Sequence, residues 1–587
     1  MMGTSHSDVS KHLVQPEDLE SWNGRRWRRF STGYPWSVLL VAAVFALVLR
    51  RIQQHIANES SRDLHPSPHL STAEFDWYKL QPHENITWTP CFDDHKYLAN
   101  YKGTIFLNPG GPGGSGTALM PVRGEMISKI VGPEFDLLGF DPRGVGATTP
   151  PAQCFGSDRG YKQWGLQSLY SLLLSAKETF GRARSREKVV ADMCLRALGG
   201  NGKEEAGGTG EEWGAGRFMS TPYVATDMLK IVEKLGQEKL QYWGFSYGTV
   251  LGQYFAAMYP DKVGRLVLDG VFDAENYSKG LWSSNLEFME SVHQAFYGFC
   301  SMAGPSNCAI YEPSPERVKE RVDKIFVDLV RSPVPVPFAS SGPAVITKDF
   351  ARVRLFQALY EPYLFFGHMA DELYAVETRN QTVLEEKVDG LLSHSCDCGT
   401  EGLPWTADNE ALYAVACGDS GPLIEEPGQF EAHYAKLAAK SPLVAPMWAL
   451  FHLRCLEWKI EAKWRYTGPY SANNTAHPIL IVNPSYDPVC PITDARKVRE
   501  RYAGAGLLEQ HSYGHCSWSA PSVCTAKAVR TYFVNGTLPE EGTVCEPDRL
   551  PFGMENGKKV QTLSMEDVEL LDALRRLAGA VPGLGPW

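Results

Sequence analysis

The chain has no dominant basic patch: 57 Lys and Arg stand against 68 Asp and Glu, for a formal charge of -11. Nucleic-acid binding needs clustered positive charge on one face, so no nucleic-acid partner is expected. An apolar run of full spanning length is also missing. The single apolar stretch, Pro35 to Leu49, falls short of the roughly 17 to 25 residues of a comfortable helical span. Asn108 to Gly116 is rich in glycine but has neither the dinucleotide fingerprint nor the Lys-Ser/Thr of a phosphate loop. His394-Ser-Cys396-Asp-Cys398 has no second ligand pair in view, which makes a disulfide partner the better reading there. No metal and no organic cofactor are expected.

What the chain does have suits a large enzyme outside the cytosol. Its 587 residues, 43% hydrophobic and 11% aromatic, can bury a substantial core and suggest more than one domain. Thirteen cysteines fit an oxidising compartment. Six Asn-x-Ser/Thr sequons, at Asn58, Asn85, Asn276, Asn380, Asn473 and Asn535, all lie beyond residue 52. Arg25-Arg26-Trp27-Arg28-Arg29 precedes the apolar stretch and points the N-terminus at the cytosol. Anchor and cleaved leader compete for that stretch. The long segment before it and the lack of a small-x-small site after it favour the anchor. The expected layout is a cytosolic tail over 1–34, a transmembrane signal anchor over 35–52 and a polar stem over 53–84, with the body lumenal or extracellular. Secretion after cleavage is the alternative.

Gly244-Phe245-Ser246-Tyr247-Gly248 directly follows the short apolar run Leu240 to Trp243 and opens a small-residue helical stretch. That is where a nucleophile elbow sits, with Ser246 projected from a strand-to-helix turn and the two glycines allowing close approach. The pattern is weak alone, since a glycine-rich turn with an ordinary serine fits equally well. Three further segments shift the balance. Asn108 to Gly116 ends the strand-like run Thr104 to Leu107 and can aim backbone amides at an oxyanion, from Gly111 (or Gly110) together with Tyr247. His477 to Pro491 is an apolar strand ending in a turn that presents Asp487. Gly506 to Gln510 is another strand, followed by His511-Ser-Tyr-Gly-His515. Serine, acid, histidine is the chain order of this hydrolase chemistry. His511 is the rival base; His515 is preferred because it follows a glycine in a loop.

These residues resemble the tripeptidyl-aminopeptidase-like and prolyl-iminopeptidase-like branch of the α/β-hydrolases. The likeness extends to Gly139-Phe-Asp-Pro-Arg-Gly144, Leu268-Asp-Gly-Val271, Ser522-Val-Cys524, Tyr532 to Gly536 and Gly542 to Glu546, and covers roughly residues 85 to 550. It implies a serine exopeptidase that releases short N-terminal peptides or single residues, with a helical cap that selects the free amine. One departure stands out. In the branch, a second cysteine and two early strands separate a Trp-x-x-Cys element from the oxyanion strand, but here Trp88-Thr-Pro-Cys91 is followed by only residues 92–102 before Gly103. The first edge hairpin is missing, by natural loss or through an exon absent from the translated gene.

The expected fold is α/β, an α/β-hydrolase with a mostly parallel sheet, helices on both faces and a large helical cap insertion. Strands are placed at Thr104–Leu107, Phe135–Phe140, Leu240–Trp243, Arg265–Leu268, Ile479–Val482 and Gly506–Gln510. The core runs over 85–271, the cap over 272–476, the part carrying acid and base over 477–550, and a C-terminal helix over 551–587. Asp141 and Arg143 read as a structural corner, satisfying local backbone and each other. Residues 199–216 hold eight glycines and are expected to stay unpacked. Tyr360, Tyr363, Phe365 and Phe366 fit cap core better than a pocket lining. Glu361, Asp371 and Glu372 are candidates for a substrate ammonium, with nothing to choose among them. Short-loop pairing favours Cys300 with Cys308 and Cys524 with Cys545, longer loops Cys154 with Cys194 or Cys417 with Cys455, and Cys490 could bridge Cys516. The functional expectation is a serine aminopeptidase acting through an acyl-enzyme on a peptide substrate. An esterase or thioesterase on a small metabolite, or a silent binding protein on the same body, is the alternative; oligomeric state is not legible.

Overall fold

The computed structural model describes residues 100–166, 178–200, 214–392, 408–426, 428–557 and 564–579. The expected tail, anchor and stem, the Trp88 to Cys91 element, the sequons Asn58 and Asn85, the His394 to Cys398 segment and most of the glycine-rich stretch lie outside them. Among the described residues, no helix is long and apolar enough to cross a membrane.

Seven strands form the main sheet: β1 (Gly103–Asn108), β2 (Phe135–Gly139), β3 (Leu240–Phe245), β4 (Val263–Asp269), β7 (Leu480–Tyr486), β8 (Gly506–Tyr513) and β9 (Val544–Cys545). A separate antiparallel hairpin, β5 (Val334–Val336) with β6 (Ala344–Ile346), belongs to the helical insertion. The sheet order is β2-β1-β3-β4-β7-β8-β9, and every neighbouring pair is parallel. Parallel sheets are covered on both faces, which is why β3 reads Leu-Gln-Tyr-Trp-Gly-Phe with all six residues buried. Alternate side chains feed two cores. Phe106, Tyr242, Leu266, Leu268 and Ile481 enter one, while Ile105, Leu107, Trp243, Phe245, Val267, Leu480 and Val482 enter the other.

All six expected strands are present. The two missed pieces, β9 and the hairpin, are two or three residues per strand and too short for a period-two signal. Helix Thr221–Lys234, started by Pro222, buries Val224, Met228 and Val232 as their four-residue spacing predicts. Among the described residues β2 is the outer strand on its side. The C-terminal helix Met565–Gly579 starts where Ser564 Oγ accepts the Asp567 amide at 3.1 Å, and Leu570, Leu574 and Leu577 enter the second core.

Most of the described residues between β4 and β7 lie in helices, the longer ones being Met289–Ala303, Pro315–Arg331, Lys348–Tyr360, Pro362–Thr378, Gln381–Leu392, Asp408–Ser420, Gln429–Lys440 and Ala445–Glu457. Phe366 is fully buried against Phe296, as expected for cap core. The four favoured disulfides all form: Cys154–Cys194, Cys300–Cys308, Cys417–Cys455 and Cys524–Cys545. Such a set fits an extracellular or secreted protein, because thiols in the cytosol are kept reduced.

Two expectations need correcting. Asp141 and Arg143 do not pair with each other. Asp141 accepts from Ser115 Oγ, Thr117 Oγ1 and the Ala147 amide at 2.7 to 2.8 Å, while Arg143 makes a two-pronged pair with Asp227 at 2.7 and 2.8 Å, since its fork matches a carboxylate on the neighbouring helix. The end of the glycine-rich stretch is also packed, with Gly216 buried in the 3-10 turn Ala215–Phe218.

Candidate active site

The sheet's carboxyl edge gathers the predicted residues. Ser246 stands between β3 and helix Tyr247–Met258 with φ 57 and ψ -125, a conformation a side chain adopts only at a cost of about 1 to 3 kcal/mol. The turn is tight enough that a Cβ on Gly244 would lie 2.4 Å from the Gly248 carbonyl oxygen. The Ser246 amide donates to the Asp269 carbonyl at 3.0 Å, tying the elbow to the end of β4. Ser246 itself is half-buried.

The glycine loop after β1 presses on this elbow. A Cβ on Gly110, whose φ is +98, would sit 2.5 Å from the Phe245 carbonyl oxygen and 2.8 Å from Ser246 Cβ. No side chain fits there. The Gly110 amide is already donated to Asn108 Oδ1 at 3.0 Å. Gly111 is the next amide along, on an exposed stretch of the loop, and Tyr247 supplies the first amide of the helix.

Asp487 and His515 meet. His515 Nδ1 lies 3.0 Å from each carboxylate oxygen, and both residues are buried. The carboxylate also accepts backbone amides from Val489 at 3.0 Å, Cys490 at 2.8 Å and Cys516 at 2.9 Å. Such a cradle fixes the direction of the carboxylate. His511 is not in the site: it is exposed and pairs with Glu546 at 3.1 Å on the outside of the sheet.

Sequence reasoning missed Asp269. It is fully buried at the end of β4 and accepts from the Ser517 amide at 2.7 Å, Ser517 Oγ at 2.5 Å and Trp243 Nε1 at 3.3 Å. Burial pushes its carboxyl up to about 6 despite those donors. Its side chain pins the loop behind His515 while its carbonyl holds Ser246, so one residue ties Ser246 to the loop that carries His515. The position within Leu268-Asp269-Gly270, at a strand end, was the available signal.

The proposed Cys490–Cys516 bridge does not form; both are buried free thiols. Cys516 Sγ instead lies 3.6 Å from His515 Nε2 and donates to the Asp269 carbonyl at 3.5 Å. Burial raises both thiols well above their ordinary range, so each keeps its proton.

The insertion reaches the site at Tyr360 and Glu361, between two of its helices. The Tyr360 carbonyl accepts the His515 amide at 2.7 Å and its ring meets the imidazole edge-on at 5.3 Å. Glu361 is buried and pairs with Arg123 at 3.0 Å, close enough to His515 to interact with it electrostatically. Arg123, from the core, is itself fully buried with its guanidinium 4.0 Å over the Trp518 ring. Of the other two cap acids, Glu372 is tied to Arg354 at 3.1 Å and Asp371 faces solvent.

A serine on a strand-to-helix elbow, with an acid and a histidine delivered by the next strands of one parallel sheet, defines the α/β-hydrolase architecture. Comparison with known families agrees: residues 103–298 match the alpha/beta hydrolase fold and residues 441–545 match the TAP-like proteins. The chain is a member of the α/β-hydrolases with a TAP-like C-terminal part. Its relatives include serine protease Hip1 of Mycobacterium tuberculosis, 24% identical over 460 residues, covering 76% of this chain and 81% of that protein. Tripeptidyl aminopeptidase of Streptomyces lividans is 25% identical over 463 residues, covering 77% and 78%. Carboxylesterase B of Mycobacterium tuberculosis is 26% identical over 461 residues, covering 76% and 80%.

Proposed function

We propose that the chain is a serine peptidase of the aminopeptidase type, in which Ser246 is the nucleophile, His515 the general base and Asp487 its orienting acid. The observation that carries this reading is the clamp of Asp487 on His515 Nδ1, at 3.0 Å from each carboxylate oxygen, which reserves Nε2 for proton transfer. Ser246 attacks the carbonyl of its substrate as His515 removes its proton, and Asp487 stabilises the imidazolium. Amides of Tyr247 and Gly111 receive the oxyanion; Gly110 is the weaker candidate because its amide is already engaged. His515 then protonates the leaving amine, and water repeats the cycle to free the acyl product.

A peptide substrate is favoured because two of the relatives named above are peptidases. Glu361 is the cap acid placed to meet a free α-ammonium, which would have to compete with Arg123 for it. The relative named a carboxylesterase keeps an ester substrate as the second reading, since elbow chemistry does not distinguish ester from amide. Turnover of tripeptidyl and aminoacyl arylamides, compared with their N-acetylated forms and with short acyl esters, separates the two. Preference for free-amine arylamides supports the first reading; equal turnover of blocked substrates, or esters alone, overturns it. We further assign an N-terminal anchor over 35–52, on the charge pattern of the sequence, and glycosylation of a lumenal body. Asn380, Asn473 and Asn535 are exposed, while Asn276 is half-buried with its amide donated to Ser284 Oγ at 2.7 Å and is the least accessible acceptor among the four described.

A further inference from the structure

Among the described cysteines, eight are in disulfides and two are not, and both exceptions lie at the site. The mechanism above uses neither thiol. Cys516 moreover holds φ at 63, a left-handed value that glycine takes freely and a side chain does not, so its sulfur is kept there against backbone preference. That sulfur lies 3.6 Å from His515 Nε2, and Asp487, His515 and Cys516 bring one ligand atom each to within 4.8 Å of one another.

In a tetrahedral zinc site, sulfur at about 2.3 Å and imidazole nitrogen at about 2.0 Å from the metal stand roughly 3.5 Å apart. The pair Cys516 Sγ and His515 Nε2 already has that separation. The far side of the ring is also arranged as metal-bound imidazoles are, with Nδ1 held by a carboxylate that fixes the tautomer leaving Nε2 free to ligate.

We propose that Cys516 Sγ and His515 Nε2 form a binding site for a thiophilic divalent cation, Zn2+ or Cd2+, and that its occupancy blocks the enzyme. Binding breaks the Cys516 S–H bond, releases that proton to solvent and forms a sulfur-metal bond. The Nε2 lone pair is taken by the metal and can no longer receive the Ser246 proton. The inhibitory half of the proposal rests on the serine-hydrolase reading; the binding half does not.

The test uses the full-length chain purified under a thiol reductant that is then removed. Cd2+ titration of the wild type is expected to give a sulfur-to-cadmium ultraviolet band saturating at one additional metal per chain relative to Cys516→Gly, a substitution the backbone at 516 accommodates. Taking that difference cancels any contribution of Cys91, Cys396 and Cys398. Ser246→Ala should retain the band. In parallel, Zn2+ should suppress fluorophosphonate labelling of the wild type reversibly, with chelator restoring it, while Cys516→Gly, scored against its own metal-free rate, should need at least about tenfold more Zn2+. No difference band, equal Zn2+ sensitivity of Cys516→Gly, or a Cys490–Cys516 disulfide in the purified protein each overturns the site. A difference band without any labelling of the metal-free wild type would leave the site standing and overturn the hydrolase reading instead.

Discussion

The carboxyl edge of the sheet and the helical insertion above it face the same site but are built on different terms. At the edge, the proposed reacting groups rest largely on backbone: three amides on Asp487, the Asp269 carbonyl on the Ser246 amide, and glycines where no Cβ fits. The insertion instead sends side chains to partners in the core over long sequence distances, such as Glu361 to Arg123 and Asp419 to Thr221. The first arrangement is rigid and tolerates little substitution; the second can be re-paired. On the proposed function, chemistry falls to the sheet and selection to the insertion, as expected where a reaction needs sub-ångström positioning and a substrate does not.

That contrast breaks most sharply at the triad. Ser246→Ala and His515→Ala are each expected to lower kcat by about 10^6-fold, and Asp487→Asn by about 10^4-fold, with the melting temperature of Ser246→Ala within a few degrees of wild type. Stopped assays with an arylamide substrate and calorimetry check both. A residual rate above about one hundredth would mean the edge is not where bonds are made. Next in size is the buried pair that joins the two regions. Arg123→Ala or Glu361→Ala alone should destabilise by about 3 to 5 kcal/mol, by stranding a buried charge, whereas Arg123→Met with Glu361→Leu should recover most of it in denaturant unfolding. If the double variant is as unstable as the singles, the pair is not separable from its packing.

The acid of the insertion sharpens the comparison in pH. Asp419 accepts from the Thr221 amide at 2.7 Å and Tyr277 OH at 2.8 Å, and burial pushes its carboxyl from 3.8 up to about 7. The folded chain therefore holds a proton that the unfolded chain has lost between those values, so this group makes stability fall as pH rises through that window and has no further effect above it. The slope is up to about 1.4 kcal/mol per pH unit. Asp419→Asn should flatten the dependence of unfolding free energy between about pH 5 and about pH 7; an unchanged slope would mean the proton is not held there. The smallest expected effect is at the surface. Arg576 and Glu125 pair at 2.9 Å with both side chains about half exposed, so Arg576→Ala should leave the midpoint of denaturant unfolding at its wild-type value.

The difference between the regions also governs what could be read in advance. The sheet was legible because parallel strands are continuous apolar runs and their ends carry Gly, Ser, Asp and His in fixed order; Ser246, Asp487 and His515 follow from local pattern. The disulfides Cys300–Cys308 and Cys524–Cys545 were legible because short loops limit the pairing, whereas Cys154–Cys194 and Cys417–Cys455 close longer ones. Asp269 went unread although it lies at a strand end, because its role depends on Ser517, which is 248 residues away. Arg123 had no signal at all, being an arginine in a short π-helical turn whose partner comes from the insertion. The Cys490–Cys516 bridge was a reasonable inference from the Asp487–His515 contact, but the Cys516 thiol is turned toward the Asp269 carbonyl and His515 instead. Among Glu361, Asp371 and Glu372 only three-dimensional placement distinguishes the acid beside the base from those that are not.

The most direct test is to label the purified full-length chain with a fluorophosphonate and map the adduct by peptide mass. One adduct per chain on Ser246, absent after His515→Ala, is the predicted result. An adduct on another residue, or none on a folded and metal-free enzyme, would contradict the account.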